Sequence, residues 1–144
     1  MNDDPDFALE GLSIWILDRA FPQATNGWDE EWLSVRASMR GTGSSVTTEG
    51  VILMTTDFKR FRDQLANLHA TLTGDASLSG YEPNLKVSLT VNERGVVPGR
   101  VEITSDHLTE RHRFEIQIDQ SYLPALIASC DSILERFPVI GRPA

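Results

Sequence analysis

Leu12, Ile14 and Ile16 alternate with Ser13, Trp15 and Leu17, a period of two that places the two sets on opposite faces of a strand. The alternation returns at Leu33, Val35, Ala37 and Met39 against Trp32, Ser34, Arg36 and Ser38. Between these runs, Phe21 to Asp29 contains Pro22, Asn26 and Gly27 without a period and reads as a loop. Gly41 and Gly43 mark a turn into a third strand, about Ser45 to Met54, whose period breaks near Glu49 and Gly50, the sign of a bulge or bend. A short strand at Ala76 to Gly80 is followed by alternating runs at Leu85 to Val91, Val101 to Ile103 and Phe114 to Ile118. The polar connections between the last three are short, as an antiparallel meander requires.

Two segments carry the other period. Phe58, Phe61, Leu65, Leu68 and Leu72 follow at steps of three and four, one apolar stripe of a helix. Thr55 or Thr56 is placed to cap it, Asp57 lies in its first turn and Gly74 supplies the stop. Leu123, Leu126, Ile127, Cys130, Ile133, Leu134 and Phe137 form a second stripe. Ser121 is its expected cap, Pro124 is tolerated in the first turn, and Pro138 with Gly141 ends it. Together these predict an α+β fold: an antiparallel sheet of about six or seven strands with two amphipathic helices packed on one face. The opposite face, carrying Lys86, Ser88, Thr90, Glu102, Arg113, Glu115 and Gln117, is solvated. A length of 144 residues suits one domain, residues 1–144, with its core at about 12–138.

Charge narrows the function classes. With 21 acidic against 13 basic side chains the chain carries a formal charge of -8, so its mean field repels phosphate backbones and anionic lipid heads and favours a basic protein partner. No apolar run approaches the roughly 20 residues that span a bilayer. The segment Met1 to Asp6 is acidic and holds Pro5, unlike a secretory signal, which points to the cytoplasm. One cysteine, Cys130, allows no internal disulfide.

Candidate chemistry is sparse. Asp106, His107, Glu110 and His112 are donor types that zinc or manganese use, but the segment also reads as a polar hairpin turn, and His69 has no partner in the pattern. Cys130 lies on an apolar stripe, where a cysteine acts as a small hydrophobe. No nucleophile elbow, phosphate-binding loop or dinucleotide fingerprint occurs. No catalytic residue, metal ligand or cofactor is assigned.

The aromatics stand out. A first hairpin with Ile14 opposite Val35 and Ile16 opposite Leu33 sets Ser13 against Arg36, Trp15 against Ser34 and Leu17 against Trp32. Trp15, Trp32 and Arg36 then share the outer face, rimmed by Trp28, Asp29, Glu30 and Glu31. Tryptophan and arginine anchor protein interfaces. The other reading of this patch is that the Phe21 to Asp29 loop or the N-terminal segment covers it.

The order L-S-I-W-I-L, W-D-E-E-W-L-S-V-R, T-T-D-F-K-R-F-R-D-Q-L, L-T-G-D-A and F-E-I-Q-I-D-Q-S-Y-L-P resembles the WapI-like bacterial immunity proteins. Its most telling residues are Trp28, Asp29, Trp32, Leu33, Val35 and Arg36, then Asp57, Phe58, Phe61 and Leu65, then Asp119, Gln120, Tyr122, Leu123 and Pro124. The resemblance runs from Leu12 to Pro138 and implies a cytoplasmic protein that binds and neutralises a contact-delivered toxin domain, a nuclease in the founding case. It transfers no specific binding residue. Such a partner would be basic, and the protein itself a monomer or weak homodimer. Two other readings stand beside it: a homo-oligomeric structural or regulatory domain pairing through a sheet edge, and a metal-dependent hydrolase using His107, His112 and neighbouring carboxylates.

Overall fold

The period-two runs fold as strands, but into two sheets where the sequence suggests one. A computed structural model describes residues 3–141. The first sheet contains β1 (Phe7–Leu9), β2 (Leu12–Arg19), β3 (Trp32–Arg40) and β4 (Ser45–Met54), antiparallel and in chain order. Helix α1 (Thr55–Thr71) then carries the chain to the second sheet, β5 (Asp75–Leu78), β6 (Leu85–Thr90), β7 (Val96–Ile103) and β8 (His112–Asp119), also antiparallel and in chain order. Helix α2 (Leu123–Arg136) ends the series. The fold thus runs four strands, helix, four strands, helix. Periodicity reports which face a residue occupies and not which strand lies beside it. The 17 residues of α1 span about 25 Å at 1.5 Å per residue, and β5 starts a new sheet at its far end.

One buried cluster joins the halves. Leu12, Ile14, Ile16, Leu33, Val35, Ala37 and Met39 from the first sheet meet Leu85, Val87, Leu89, Val97, Val101 and Ile103 from the second. Phe58, Phe61, Leu65 and Leu68 of α1 are all fully buried, each contributing about 1.5–3 kcal/mol relative to exposure. The Phe61 ring lies 5.8 Å from that of Phe7. Both helices belong to this cluster: α1 packs on α2, β5 and the end of β4, while α2 reaches β1. Among the described residues, no helix is long and apolar enough to cross a membrane.

Local details shift several expectations. β2 pairs β3 with Trp15 opposite Arg36 and Ile16 opposite Val35, two residues away from the expected register. Leu17 is the extra residue of a bulge, since Asp18 already pairs with Ser34, and it points to solvent. In β4 the bulge falls at Ile52, between Val51 and Leu53, and not at Glu49 and Gly50. It buries Ile52, Leu53 and Met54 in succession. Neither Thr55 nor Thr56 caps α1; Asp57 accepts the Met54 N–H at 2.8 Å. The left-handed residue that ends α1 is Leu72, at φ 54°, two positions before the expected Gly74, and it leaves the stripe for solvent. The turn leading into α2 is closed by Asp119, whose carboxylate accepts the Ser121 N–H at 2.7 Å, and Ser121 is not the cap.

Candidate partner-binding surface

Alternation in β3 builds this surface. Leu33, Val35, Ala37 and Met39 turn inward and leave Trp32, Ser34, Arg36 and Ser38 half-buried on the outer face of the first sheet. Trp15 stands directly across from Arg36, and the guanidinium carbon lies 4.5 Å from the ring centroid, a cation–π pair. The indole Nε1–H of Trp15 donates to the Asp3 carbonyl at 2.9 Å, so the N-terminal segment runs along one edge of the ring. Trp32 is about 13 Å from Arg36 along the strand, four residues at about 3.3 Å each. Trp15 and Trp32 therefore share a face without forming one contiguous patch.

The expected acidic rim is different. Asp29 is exposed, its carboxylate accepting the Asn26 side-chain N–H at 3.0 Å. Glu30 and Glu31 are buried, at 3% and 4% exposure, and cannot rim a docking surface. The cause is a clip made by the 3-10 turn Asp29–Glu31. Glu31 Oε1 accepts the Thr55 hydroxyl at 2.6 Å and the Ile140 N–H at 3.1 Å, while Oε2 accepts the Gly141 N–H at 2.9 Å. Arg19 donates to the Glu30 carbonyl at 2.8 Å and the Pro138 carbonyl at 2.6 Å. Burial works against the Glu31 charge. The hydrogen bonds from Thr55, Gly141 and Ile140, with the field of Arg19, outweigh it and hold the carboxyl below its ordinary value.

Past Glu31 the surface opens into a groove of about 800 Å³ that sequence reasoning did not find. Met54, the cross-strand neighbour of Trp32, lines it, so the groove begins where the outer face ends. Trp28 and Tyr81 meet here edge-to-face, centroids 5.2 Å apart and planes at 73°. Tyr81 has no periodic partner, and its one signal was a large aromatic in the loop between Gly80 and Pro83. Gly80 has a packing reason: a Cβ there would stand 2.5 Å from Asp57 Oδ2. Burial pushes the Asp57 carboxyl up, against the opposing pull of the Met54 N–H and Arg60.

The other candidate groups lie apart from this surface. His112 Nε2 is 2.8 Å from Glu110 Oε1, and His107 with Glu82 lines an adjoining groove of about 610 Å³ along β6 and β7 that meets the first at Ser79 and Gly80. Among the described residues, no three His, Cys, Asp or Glu side chains gather in a way that could hold a metal ion. Cys130 is fully buried, and burial, with the Asp131 charge beside it, pushes its thiol up to about 12.

The model of the family described as "Immunity protein WapI-like family" matches residues 4–138. No curated protein matches the chain. Among solved structures, a chain of the CdiA-CT/CdiI toxin and immunity complex from Enterobacter cloacae is 12% identical, with 69% of this chain and 88% of that chain covered at a TM-score of 0.43. WHY3 from Arabidopsis thaliana is 9% identical, with 88% of this chain and 81% of that chain covered at a TM-score of 0.47. At these scores neither likeness bears on a partner or a site.

Proposed function

Since the chain belongs to the immunity protein WapI-like family, we infer that it neutralises a toxin domain by stoichiometric binding, without catalysis. The family match over residues 4–138 carries this reading. The formal charge of -8 supports a basic partner, a nuclease domain being the physically apt case, because carboxylates can occupy positions that otherwise hold phosphates and complementary charge speeds encounter. The protein acts in the cytoplasm as one folded domain. We place the docking surface on the outer face of the first sheet, at Trp15, Trp32 and Arg36, with Trp28 and Asp29 at its end. The cation–π pair of Trp15 and Arg36 supports this placement, since it holds two residue types that often anchor interfaces in one fixed, partly exposed arrangement.

The experiment is direct. Toxin-like domains encoded beside the gene are expressed with and without this chain, and growth is followed together with complex formation by calorimetry. Rescue with one-to-one binding is expected. Intact growth arrest in the presence of the folded protein, for every neighbouring toxin domain, contradicts the reading. The edges also support self-association: β4 and β8 each pair on one side only, and edge strands can pair with a second copy. Sedimentation at micromolar concentration separates monomer from dimer.

A further inference from the structure

The loops that carry Trp28 and Tyr81 come from different halves of the fold, one before β3 and one before β6. Their rings nonetheless meet at 5.2 Å and 73°, while 49% of Trp28 and 71% of Tyr81 stay exposed. The two rings, set nearly at a right angle, form a corner at which each keeps exposed surface. Ring faces carry negative potential and attract cations.

A cation of the chain itself lies nearby but is already engaged. Arg60 lines the same groove, but its Nη2 donates to Asp57 at 2.9 Å and to the Ser79 carbonyl at 2.7 Å. Among the described residues, guanidinium groups stack on Trp15 and Phe137 and on no other ring. Each ring also has an exposed carboxylate next to it in sequence, Asp29 after Trp28 and Glu82 after Tyr81. Glu82 makes no ion pair among the described residues. These charges, one residue along the chain from each ring in a protein of formal charge -8, make the field around the exposed aromatics favourable to a cation.

We propose that the Trp28–Tyr81 corner receives an arginine side chain of the partner protein, its guanidinium stacked on the rings within the negative field of this acidic surface. Arginine fits better than lysine because its planar, weakly hydrated head stacks on an aromatic face. The inference rests on the protein-binding reading above and names the chemistry that the groove recognises.

The test needs no toxin. The tripeptide acetyl-Gly-Arg-Gly-amide is titrated into the intact protein while the indole N–H resonances of its three tryptophans are followed. A saturable shift is expected at Trp28. It should be several-fold weaker with the lysine tripeptide and absent with the norleucine tripeptide. Tyr81→Ala should weaken the arginine interaction about tenfold, and the double variant Asp29→Asn, Glu82→Gln should weaken it by a smaller factor that shrinks as salt is raised, each variant checked for an unchanged melting temperature. No Trp28 shift, an equal shift with norleucine, or affinity unaltered by Tyr81→Ala overturns the proposal. The outcomes separate from those of the growth assay: rescue without a Trp28 response removes the corner and leaves the immunity reading. A Trp28 response without rescue does the reverse.

Discussion

The Glu31 carboxylate accepts the Thr55 hydroxyl at 2.6 Å, joining the turn before β3 to the first residue of α1, 24 positions away. Through its remaining contacts it also holds the Ile140 and Gly141 amides. Glu31→Ala strands all three donors. Leaving buried donors unsatisfied is costly, so a loss of about 2 kcal/mol or more is expected, read as a lower urea midpoint at unchanged slope. Thr55→Val removes one donor only and should cost about 1 kcal/mol. An unmoved midpoint in Glu31→Ala contradicts the clip.

Acid should weaken this clip. The folded state holds the Glu31 carboxyl below its ordinary 4.5, so its stabilisation is complete above that value and is lost as pH falls through the lower folded one. Asp57 has the opposite sign. Its folded carboxyl is raised above 3.8, so its charge carries a cost that acid relieves. The stability gap between the natural protein and Glu31→Gln isolates the first effect: constant from about pH 7 to about pH 5, then closing towards about pH 3. A gap that persists at the acid end contradicts this account.

Gly80→Ala should destabilise by about 1–3 kcal/mol. The added methyl would meet Asp57 Oδ2 at 2.5 Å and Cγ at 3.1 Å, and Asp57 cannot retreat without releasing Met54 and Arg60. Gly43→Ala is the control. A Cβ there meets nothing within 4 Å, so its stability should stay within about 0.5 kcal/mol of the parent. Equal behaviour of the two variants removes the packing argument.

Cys130 should resist thiol reagents in the folded protein. A fully buried thiol pushed up to about 12 offers almost no thiolate at neutral pH. Labelling with an aromatic disulfide is expected to proceed only as fast as the protein unfolds, and to become immediate in urea. Rapid labelling under native conditions would show that α2 opens locally.

At the proposed docking surface the expected effects divide by residue. Trp32→Ala should raise the toxin's off-rate by a factor equivalent to about 2 kcal/mol, whereas Asp29→Asn should mainly slow association and flatten its salt dependence. Surface plasmon resonance separates the two. Neutralising Glu30 or Glu31 tests folding instead, because both are buried.

Element type was legible in the sequence for the longer buried faces, but not for β1, whose three residues bury Phe7 and Leu9 and are too few to show a period. The stripe Phe58, Phe61, Leu65 and Leu68 and the run Leu33 to Met39 turn inward as their spacing predicts. Neighbour relations were not legible. The β2–β3 register depends on a loop of unreadable geometry and on the Leu17 bulge, so Trp15 meets Arg36 where Ser34 was expected. Glu30 and Glu31 resembled a solvated rim because charge usually marks exposure. The donors that allow Glu31 to be buried lie 24, 109 and 110 residues away. Tyr81 was invisible for a similar reason, its partner Trp28 being on the other half of the fold.

The last helix lies on the first strand. α2 packs against β1, and Arg136 bonds Asp6 across 130 residues at 2.6 Å. A nascent chain that has emerged only as far as β8 therefore leaves the apolar side of α1 without its α2 cover. Long-range closure of this kind is slow, and it comes late during synthesis. A ribosome-bound fragment lacking α2 should remain protease-sensitive, and the competent protein should first appear after the final helix has left the exit tunnel.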